Sequence, residues 1–143
     1  REIINNATEK VSISGWNREI DAIKNELCAA NERGIDITVF SFCDLEFDVG
    51  EVVSYGLDEL DLRKIWSPKV ILVVDDLSTI MGSARDSEDS KSIYTQNNAI
   101  IEIAMNHIIL DITLAGSRLK FDPGPIVEKI MKKSNLHLDR LIR

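Results

Sequence analysis

Residues 67–85 read SPKVILVVDDLSTIMGSAR, and this stretch decides the fold class. Five consecutive aliphatic residues, Val70–Val74, predict a buried strand, and Asp75 and Asp76 favour a tight turn. A returning strand is predicted over Ser78–Ser83, so the stretch forms an antiparallel hairpin.

The sequence before the hairpin predicts a strand–helix–strand unit. Residues 11–15 and 35–42 are apolar stretches typical of strands. Asn17 is predicted to cap the helix between them, and Gly34 to end it. The apolar residues of this helix recur at helical spacing: Ile20, Ile23, Leu27 and Ala30. Such units pair their strands in parallel, so with the hairpin they predict an α/β domain whose mixed sheet carries helices on both faces.

The remaining segments before the long helix are less regular. We predict a loop with a short edge strand over residues 44–55 and a strand over Leu62–Trp66. Beyond the hairpin, residues 85–92 are predicted as a polar, mobile loop and Ile93–Thr95 as a strand.

The strongest helix signal begins at Asn97 or Asn98 and extends to about Leu114. Its broad apolar face contains Ile101, Ala104, Met105, Ile108, Ile109 and Ile112. A narrower second face contains Ala99, Ile103 and Leu110. Because a helix that covers one sheet needs one apolar face, the second face predicts another partner. That partner is either the C-terminal helix that begins near Pro125 or a second subunit, and we expect a homodimer.

Size and composition fit a single cytoplasmic domain. The 143 residues suffice for a core without disulfides, and Cys28 and Cys43 are predicted to be free thiols. No apolar run approaches the roughly 20 residues of a membrane helix, so no membrane contact is expected. The formal net charge of −7 argues against a DNA-binding surface on this domain, because phosphate neutralisation needs a basic face.

Motifs for catalysis or metal binding are absent from the sequence. The acidic stretch 44–55 has Val49 and Tyr55 where a calcium loop needs glycine and glutamate. His107 and Asp111 lie one helical turn apart and could orient an imidazole, although a surface pair beside a packed face is the commoner arrangement. Without a nucleophile motif or a glycine-rich phosphate loop, we expect no catalytic residue, no metal and no cofactor.

The hairpin resembles the active-site hairpin of the phospholipase D superfamily. In that superfamily, His-x-Lys-x4-Asp precedes a strand that ends in Gly-Ser-x-Asn. Asp75, Gly82 and Ser83 fit this register, and Arg85 replaces the asparagine. The resemblance implies a fold like one half of a phospholipase D, in which two such halves pair with their hairpins together.

The catalytic residues of that superfamily are missing from the hairpin. Counting back from the aspartate position, Pro68 stands at the nucleophilic histidine and Val70 at the lysine. Lys69 is a one-residue slip of the lysine, but the histidine would still be Ser67. The resemblance therefore implies a non-catalytic domain.

The succession from residue 11 through the long helix is similar to the C-terminal domain of TrmB-like transcription regulators of archaea. In these proteins a winged helix and a linker helix precede a non-catalytic phospholipase D-like domain. The resemblance covers the chain to about residue 115. It implies that 1–143 is one regulatory domain, with residues 1–10 ending the linker helix and 116–143 forming a helical extension. DNA would be bound only through an N-terminal domain that precedes Arg1.

The function implied by this resemblance is ligand sensing and dimerisation, with a pocket for a small-molecule effector near the dimer seam. Five residues are predicted around that pocket: Lys69, Asp75, Ser83, Arg85 and Asn97. Lys69 and Arg85 would hold an anion, Ser83 would donate a hydrogen bond, and Asp75 would orient a cation or hydroxyl. Turn and cap chemistry also accounts for Asp75 and Asn97. Two alternatives stay open: an active phosphodiesterase or nuclease, and a protein-interaction module that only dimerises.

Overall fold

The computed structural model describes residues 1–83 and 91–131, which form a six-stranded mixed sheet between two layers of helices. The α/β class, the mixed sheet and the helices on both faces are as predicted. In chain order the elements are α1 (Glu2–Asn5), β1 (Lys10–Gly15), α2 (Asn17–Asp21), α3 (Lys24–Glu32), β2 (Asp36–Ser41), β3 (Glu51–Ser54), α4 (Glu59–Arg63), β4 (Val70–Val74), β5 (Ser78–Gly82), β6 (Ser92–Thr95), α5 (Asn98–Leu119) and α6 (Gly124–Met131).

Strand β1 joins two halves of the sheet, whose strand order is β3-β2-β1-β4-β5-β6. On one side β1, β2 and β3 are parallel, and β3 is the edge strand predicted after residue 44. On the other side β4, β5 and β6 form an antiparallel meander that contains the predicted hairpin. Antiparallel pairing of β1 with β4 sets Gly15 opposite Val70, so the carboxyl end of β1 lies beside the start of the hairpin.

One face of the sheet is covered by α1 and α3. The core on this face includes Ile4, Val11, Ile13, Ile20, Leu27, Ile37, Val39, Leu72 and Val74. Gly34 ends the helical segment with a φ of 86°, a left-handed conformation that glycine adopts without strain. The chain can therefore turn directly into β2.

The opposite face is covered by α5 and α6. Its core includes Phe40, Val53, Val73, Ile101, Ala104, Met105, Ile108, Ile112, Ala115 and Ile130. The broad apolar face predicted for the long helix is therefore the buried one. Helix α6 packs beside α5 and adds Ile130 to the same core. Within residues 91–131, the narrower apolar face of α5 stays uncovered.

Two predicted boundaries before the hairpin are wrong. Residues 62–66 complete helix α4 and the turn after it, because Asp58 accepts a hydrogen bond from the backbone N–H of Asp61 and starts a helix there. The helix between β1 and β2 is divided into α2 and α3. Asn17 is the first residue of α2, while Trp16 occupies the capping position without a side-chain hydrogen bond.

The predictions after the hairpin need smaller corrections. Helix α5 runs to Leu119 rather than Leu114, so it crosses the boundary expected at residue 116. Lys120 caps its carboxyl end with a φ of 59°. Ser92 belongs to β6 rather than to the preceding loop. The rest of that predicted loop, apart from Lys91, lies in residues 84–90, outside the described residues.

Candidate functional site

A cavity of about 540 Å³ lies on the α5 side of the sheet, at the carboxyl end of β1. Its floor is formed by β4, β5 and β6, and its roof by α5. The size is within the range of pockets that bury a small molecule. Its lining is mainly apolar, with a few polar side chains that converge on it.

The floor is built from two cross-strand rows. Ile71 pairs with Met81, and Met81 pairs with Ile93, so these three apolar side chains stand side by side. The next row, toward the open end of the hairpin, is polar and contains Lys69, Ser83 and Lys91, all of which line the cavity. The backbone N–H of Ser83 donates to the carbonyl of Lys91 at 3.3 Å, which continues the strand pairing into this second row.

The roof carries a polar cluster in an otherwise apolar layer. Asp111 of α5 accepts a hydrogen bond from the buried Ser14 hydroxyl at 2.8 Å, and His107 Nε2 lies 3.3 Å from the same carboxylate oxygen. Ser14 is the register partner of Ile71, so it extends the apolar row of the floor toward β1. The cluster therefore lies at the β1 end of the floor row.

Burial weakens the ionised form of the Asp111 carboxyl. Its side chain is 19% exposed, and desolvation raises its pKa above the usual value although Ser14 and His107 act in the opposite direction. A carboxylate held with incomplete compensation beside a cavity can accept a hydrogen bond or an ion pair from a ligand. A carboxyl whose pKa is shifted by burial beside a cleft is a candidate binding group.

Three aromatic side chains form the wall at the carboxyl ends of β1 and β2. Trp16 is buried, Phe42 is half-buried and Trp66 is 52% exposed. The rings of Phe42 and Trp66 meet edge to face, with centroids 5.6 Å apart. Trp66 therefore presents an exposed aromatic surface at the cavity mouth.

The structure brings two of the five predicted pocket residues together, Lys69 and Ser83. Arg85 lies outside the described residues. Asp75 and Asn97 do not line the cavity, and each has a local partner. Asn97 caps α5 by accepting a hydrogen bond from the backbone N–H of Ile100, which is the cap chemistry already considered for it.

Asp75 lies at the turn end of the hairpin, opposite to the cavity. It is six positions after Lys69, or about 20 Å along an extended strand. Its carboxylate accepts hydrogen bonds from the backbone N–H groups of Thr8, Glu9 and Lys10 and from the Thr8 hydroxyl. Partial burial acts to raise the pKa of Asp75, but these hydrogen bonds outweigh it and lower the pKa.

Several lining residues were not predicted as a site. Asp111 and His107 were identified as a pair but assigned to the surface, because Ser14, the partner that draws Asp111 inward, is 97 residues away in sequence. Ser14 itself gave a signal, as a buried polar residue within an apolar strand. In the described part of the chain, no group of three or more histidine, cysteine or acidic side chains could hold a metal ion.

The uncovered face of α5 is a second candidate surface. Ile100, Ile103, His107, Leu110 and Leu114 form an exposed row along this face, which we call the α5 stripe. An 18-residue window of α5 has a mean hydropathy of 1.5, with 33% of it buried. By length and apolarity alone, α5 could cross a membrane, contrary to the expectation that no segment approaches the length of a membrane helix. Core helices of other proteins pass the same test, and the other face of α5 packs on the sheet.

Comparisons with known structures concern the fold. The chain is similar to TrmBL2, an archaeal chromatin protein with a novel mode of DNA binding, with a TM-score of 0.54 and 10% identity over 75% of this chain. The chain spans 44% of the length of TrmBL2. NucT from Helicobacter pylori gives a TM-score of 0.48 and 16% identity, over 75% of this chain and 80% of NucT. No curated protein matches the chain in sequence.

The sequence also matches a family model. The model is described as the N-terminal subdomain of the EBD of the transcriptional regulator TrmB, and it matches residues 1–110. The matched range includes β1 to β6 and the part of α5 that carries His107. The chain therefore belongs to the family of the TrmB transcriptional regulator EBD N-terminal subdomain.

Proposed function

We propose that this chain is the ligand-sensing and dimerising part of a transcription regulator, with DNA contacted by another part of the same protein. The observation that carries the proposal is the cavity under α5, where Asp111 and the Lys69 row converge on an apolar floor. Binding pockets commonly combine an apolar lining with a few placed polar groups.

The sensing role is tested by filling the cavity. Ile93 is 64% exposed on the edge strand, so Ile93→Trp should fold normally and place an indole over the floor. Leu60→Trp, at a position 72% exposed on α4 and outside the cavity, is the matched control. We expect a thermal-shift screen of metabolites to find a compound that stabilises the natural chain and the control but not Ile93→Trp.

Two results would contradict the sensing role. One is a complete absence of stabilising compounds, which would favour the pure dimerisation module. The other is a stabilising compound whose effect is the same in Ile93→Trp, because it would then bind elsewhere.

The proposed dimer uses the α5 stripe. Its residues are separated alternately by three and four positions, which is the spacing of a helix-pairing seam. Such a seam can pair with an identical copy through a two-fold axis, the commonest arrangement in oligomers. Ile103 and Leu110 are 67% and 57% exposed, an exposure that monomeric proteins seldom tolerate in a contiguous row. His107 belongs both to the stripe and to the cavity lining, which puts the pocket beside the proposed seam.

The dimer is tested by the mass in solution. We expect light scattering to give twice 16.1 kDa for the natural chain and for the control Leu60→Asp. Leu110→Asp would place a charge in each half of the seam, and it should shift the mass to 16.1 kDa. A 16.1 kDa species for the natural chain across a hundredfold range of micromolar concentrations would refute the dimer.

DNA binding is assigned to a part of the regulator beyond this domain. The net charge of −7 supports this assignment, since the chain would repel phosphate at physiological salt. We expect no sub-micromolar binding of duplex DNA in fluorescence anisotropy at about 150 mM salt. We propose a cytoplasmic location, because a transcription regulator acts on DNA.

We further propose that the domain has no phosphodiesterase activity. Pro68 and Val70 stand where the resemblance to phospholipase D would require histidine and lysine, so the histidine nucleophile of that superfamily is missing from the hairpin. Incubation with bis-p-nitrophenyl phosphate should release no nitrophenol. Turnover that disappears in Asp75→Asn or Ser83→Ala would favour the nuclease alternative.

A further inference from the structure

The cavity concentrates positive charge in a chain that is acidic. The net charge is −7, yet two lysines, Lys69 and Lys91, flank Ser83 at one end of the cavity. At the other end the only acidic lining residue among those described is Asp111. The two ends of the cavity therefore favour opposite kinds of ligand group.

The spacing between these ends follows from the sheet. Asp111 binds Ser14, which lies beside Ile71 in the apolar row. Lys69 lies two residues before Ile71, immediately before β4, and Lys91 lies two residues before Ile93, immediately before β6. Two residues of a strand span about 7 Å, so the cationic row is offset by about that much along the strands from the row that contains Ser14. The cationic side chains also lie one to three strands away from β1, so the two ends are at least about 7 Å apart.

The surface between the two ends is apolar. Ile71, Met81 and Ile93 form the floor there, and Trp66 closes the mouth. A ligand that reaches from Lys69 to Asp111 must therefore cross this floor with an apolar segment, because a polar group placed there would lose its hydration without gaining a partner.

We propose that the cavity binds a small organic anion that carries a hydrogen-bond donor, an ammonium or a hydroxyl, at least about 7 Å from the anionic group. The anion is held by Lys69, Ser83 and Lys91, and the donor is accepted by Asp111. This inference rests on the proposed sensing function and names the class of ligand for the same cavity.

A matched series of probes separates the two ends. The compounds 6-aminohexanoate and 6-hydroxyhexanoate carry both groups on a chain of suitable length, hexanoate lacks the donor, and hexylamine lacks the anion. We expect calorimetric Kd values to be lowest for one of the two bifunctional compounds. Loss of either end group should weaken binding by about tenfold, the effect of removing one charge-assisted hydrogen bond.

Variants of the full chain assign the ends. Lys69→Ala and Lys91→Ala should each weaken the bifunctional compounds and hexanoate by about tenfold, and leave hexylamine unchanged. Asp111→Asn should abolish the advantage of 6-aminohexanoate over hexanoate and leave hexanoate itself unchanged. Lys64→Ala, an exposed lysine on the α4 side that does not line the cavity, is the control and should change nothing.

The outcomes distinguish this inference from the function on which it rests. Equal binding of hexanoate and the bifunctional compounds, or insensitivity to both lysine variants, would overturn the ligand class. If the metabolite screen then gives a neutral compound whose effect is lost in Ile93→Trp, the sensing function stands and only the class is wrong. If neither the probe series nor the metabolite screen gives binding at the cavity, the ligand class and the sensing function are both wrong.

Discussion

Two aspartates lie close to β1 near opposite ends of the β4–β5 hairpin, Asp75 in its turn and Asp111 in helix α5 at the cavity end, and the two carboxylates have opposite surroundings. At the turn end, Asp75 accepts four hydrogen bonds from residues 8 to 10 and its pKa is lowered. At the cavity end, Asp111 has Ser14 and His107 as partners and its pKa is raised by burial. The first carboxylate is stabilised in its charged form by the fold, and the second is not.

This difference separates a structural carboxylate from a candidate binding group. Hydrogen bonds from neighbouring backbone N–H groups occupy the acceptor sites of Asp75 and leave it little capacity for a ligand. Asp111 keeps acceptor capacity at the edge of a cavity, and folding weakens its ionised form. A hydrogen-bond donor on a ligand would stabilise the Asp111 carboxylate, which the fold alone stabilises incompletely.

The largest expected effect is at the turn end. Asp75→Ala removes four hydrogen bonds and places alanine at a φ of 54°, so we expect the free energy of unfolding to fall by about 4 kcal/mol. Asp75→Asn tolerates this φ and should lose about 2 kcal/mol. Urea unfolding measures both, with the exposed Asp61→Asn as control.

The pH dependence of the Asp75→Asn effect has a definite sign. Because the pKa of Asp75 is lowered by folding, its contribution is complete above the unfolded value of about 3.9 and is lost as pH falls through the folded pKa. The stability difference from the natural chain should thus shrink only in acid. If the stability difference between the natural chain and Asp75→Asn stays constant down to pH 3, the effect arises from the shape of the side chain rather than from its charge.

A smaller effect is expected at Lys10, which ties the turn end to α6. Its ammonium is 2.7 Å from Asp76 and donates to the backbone carbonyl of Ile130, in a side chain that is 8% exposed. Lys10→Met should destabilise the fold by about 2 kcal/mol, because Asp76 would stay partly buried without its counter-ion. Lys10→Met combined with Asp76→Asn, which removes the second charge and tolerates the φ of 55° at this position, should recover part of the loss. No recovery would show that the ion pair is not the cause.

The smallest effect, with opposite sign, is expected at the cavity end. The raised pKa of Asp111 means that the folded state binds its proton more tightly, so ionisation reduces stability as pH rises from about 3.9 through the folded pKa. At pH 7 Asp111→Asn should therefore be more stable than the natural chain by about 1 kcal/mol. Thermal unfolding at pH 4 and pH 7 measures this, with exposed Asp21→Asn as control. A destabilised Asp111→Asn would mean that Asp111 is structural like Asp75.

Local sequence signals account for most of the fold. The run Val70–Val74 with two turn residues predicts the hairpin, and apolar periodicity predicts the buried face of α5. Helix α4 was misassigned because Leu62, Ile65 and Trp66 are apolar, whereas Asp58 and the acidic first turn after it mark a helix start. The break between α2 and α3 carries no proline or glycine, so no local signal indicated it.

The candidate site was less predictable because it is assembled from distant segments. Lys69 and Ser83 could be identified since both lie in the hairpin. Ser14, Lys91 and Asp111 come from β1, from the residue before β6 and from α5, and their proximity depends on the order of strands in the sheet. A sequence pattern does not contain that order.

The central position of β1 has a consequence for how the domain opens. Strands β4 and β5 are joined by a tight turn, but pairing of β1 with β4 joins Val11 to Val74 and requires closure of a long loop. Detachment of β1 would separate the two halves of the sheet and take Ser14 and Trp16 away from the cavity. We therefore expect the amide hydrogens of β1 to exchange with solvent only through global unfolding, and any molecule held in the cavity to slow that exchange as its occupancy increases.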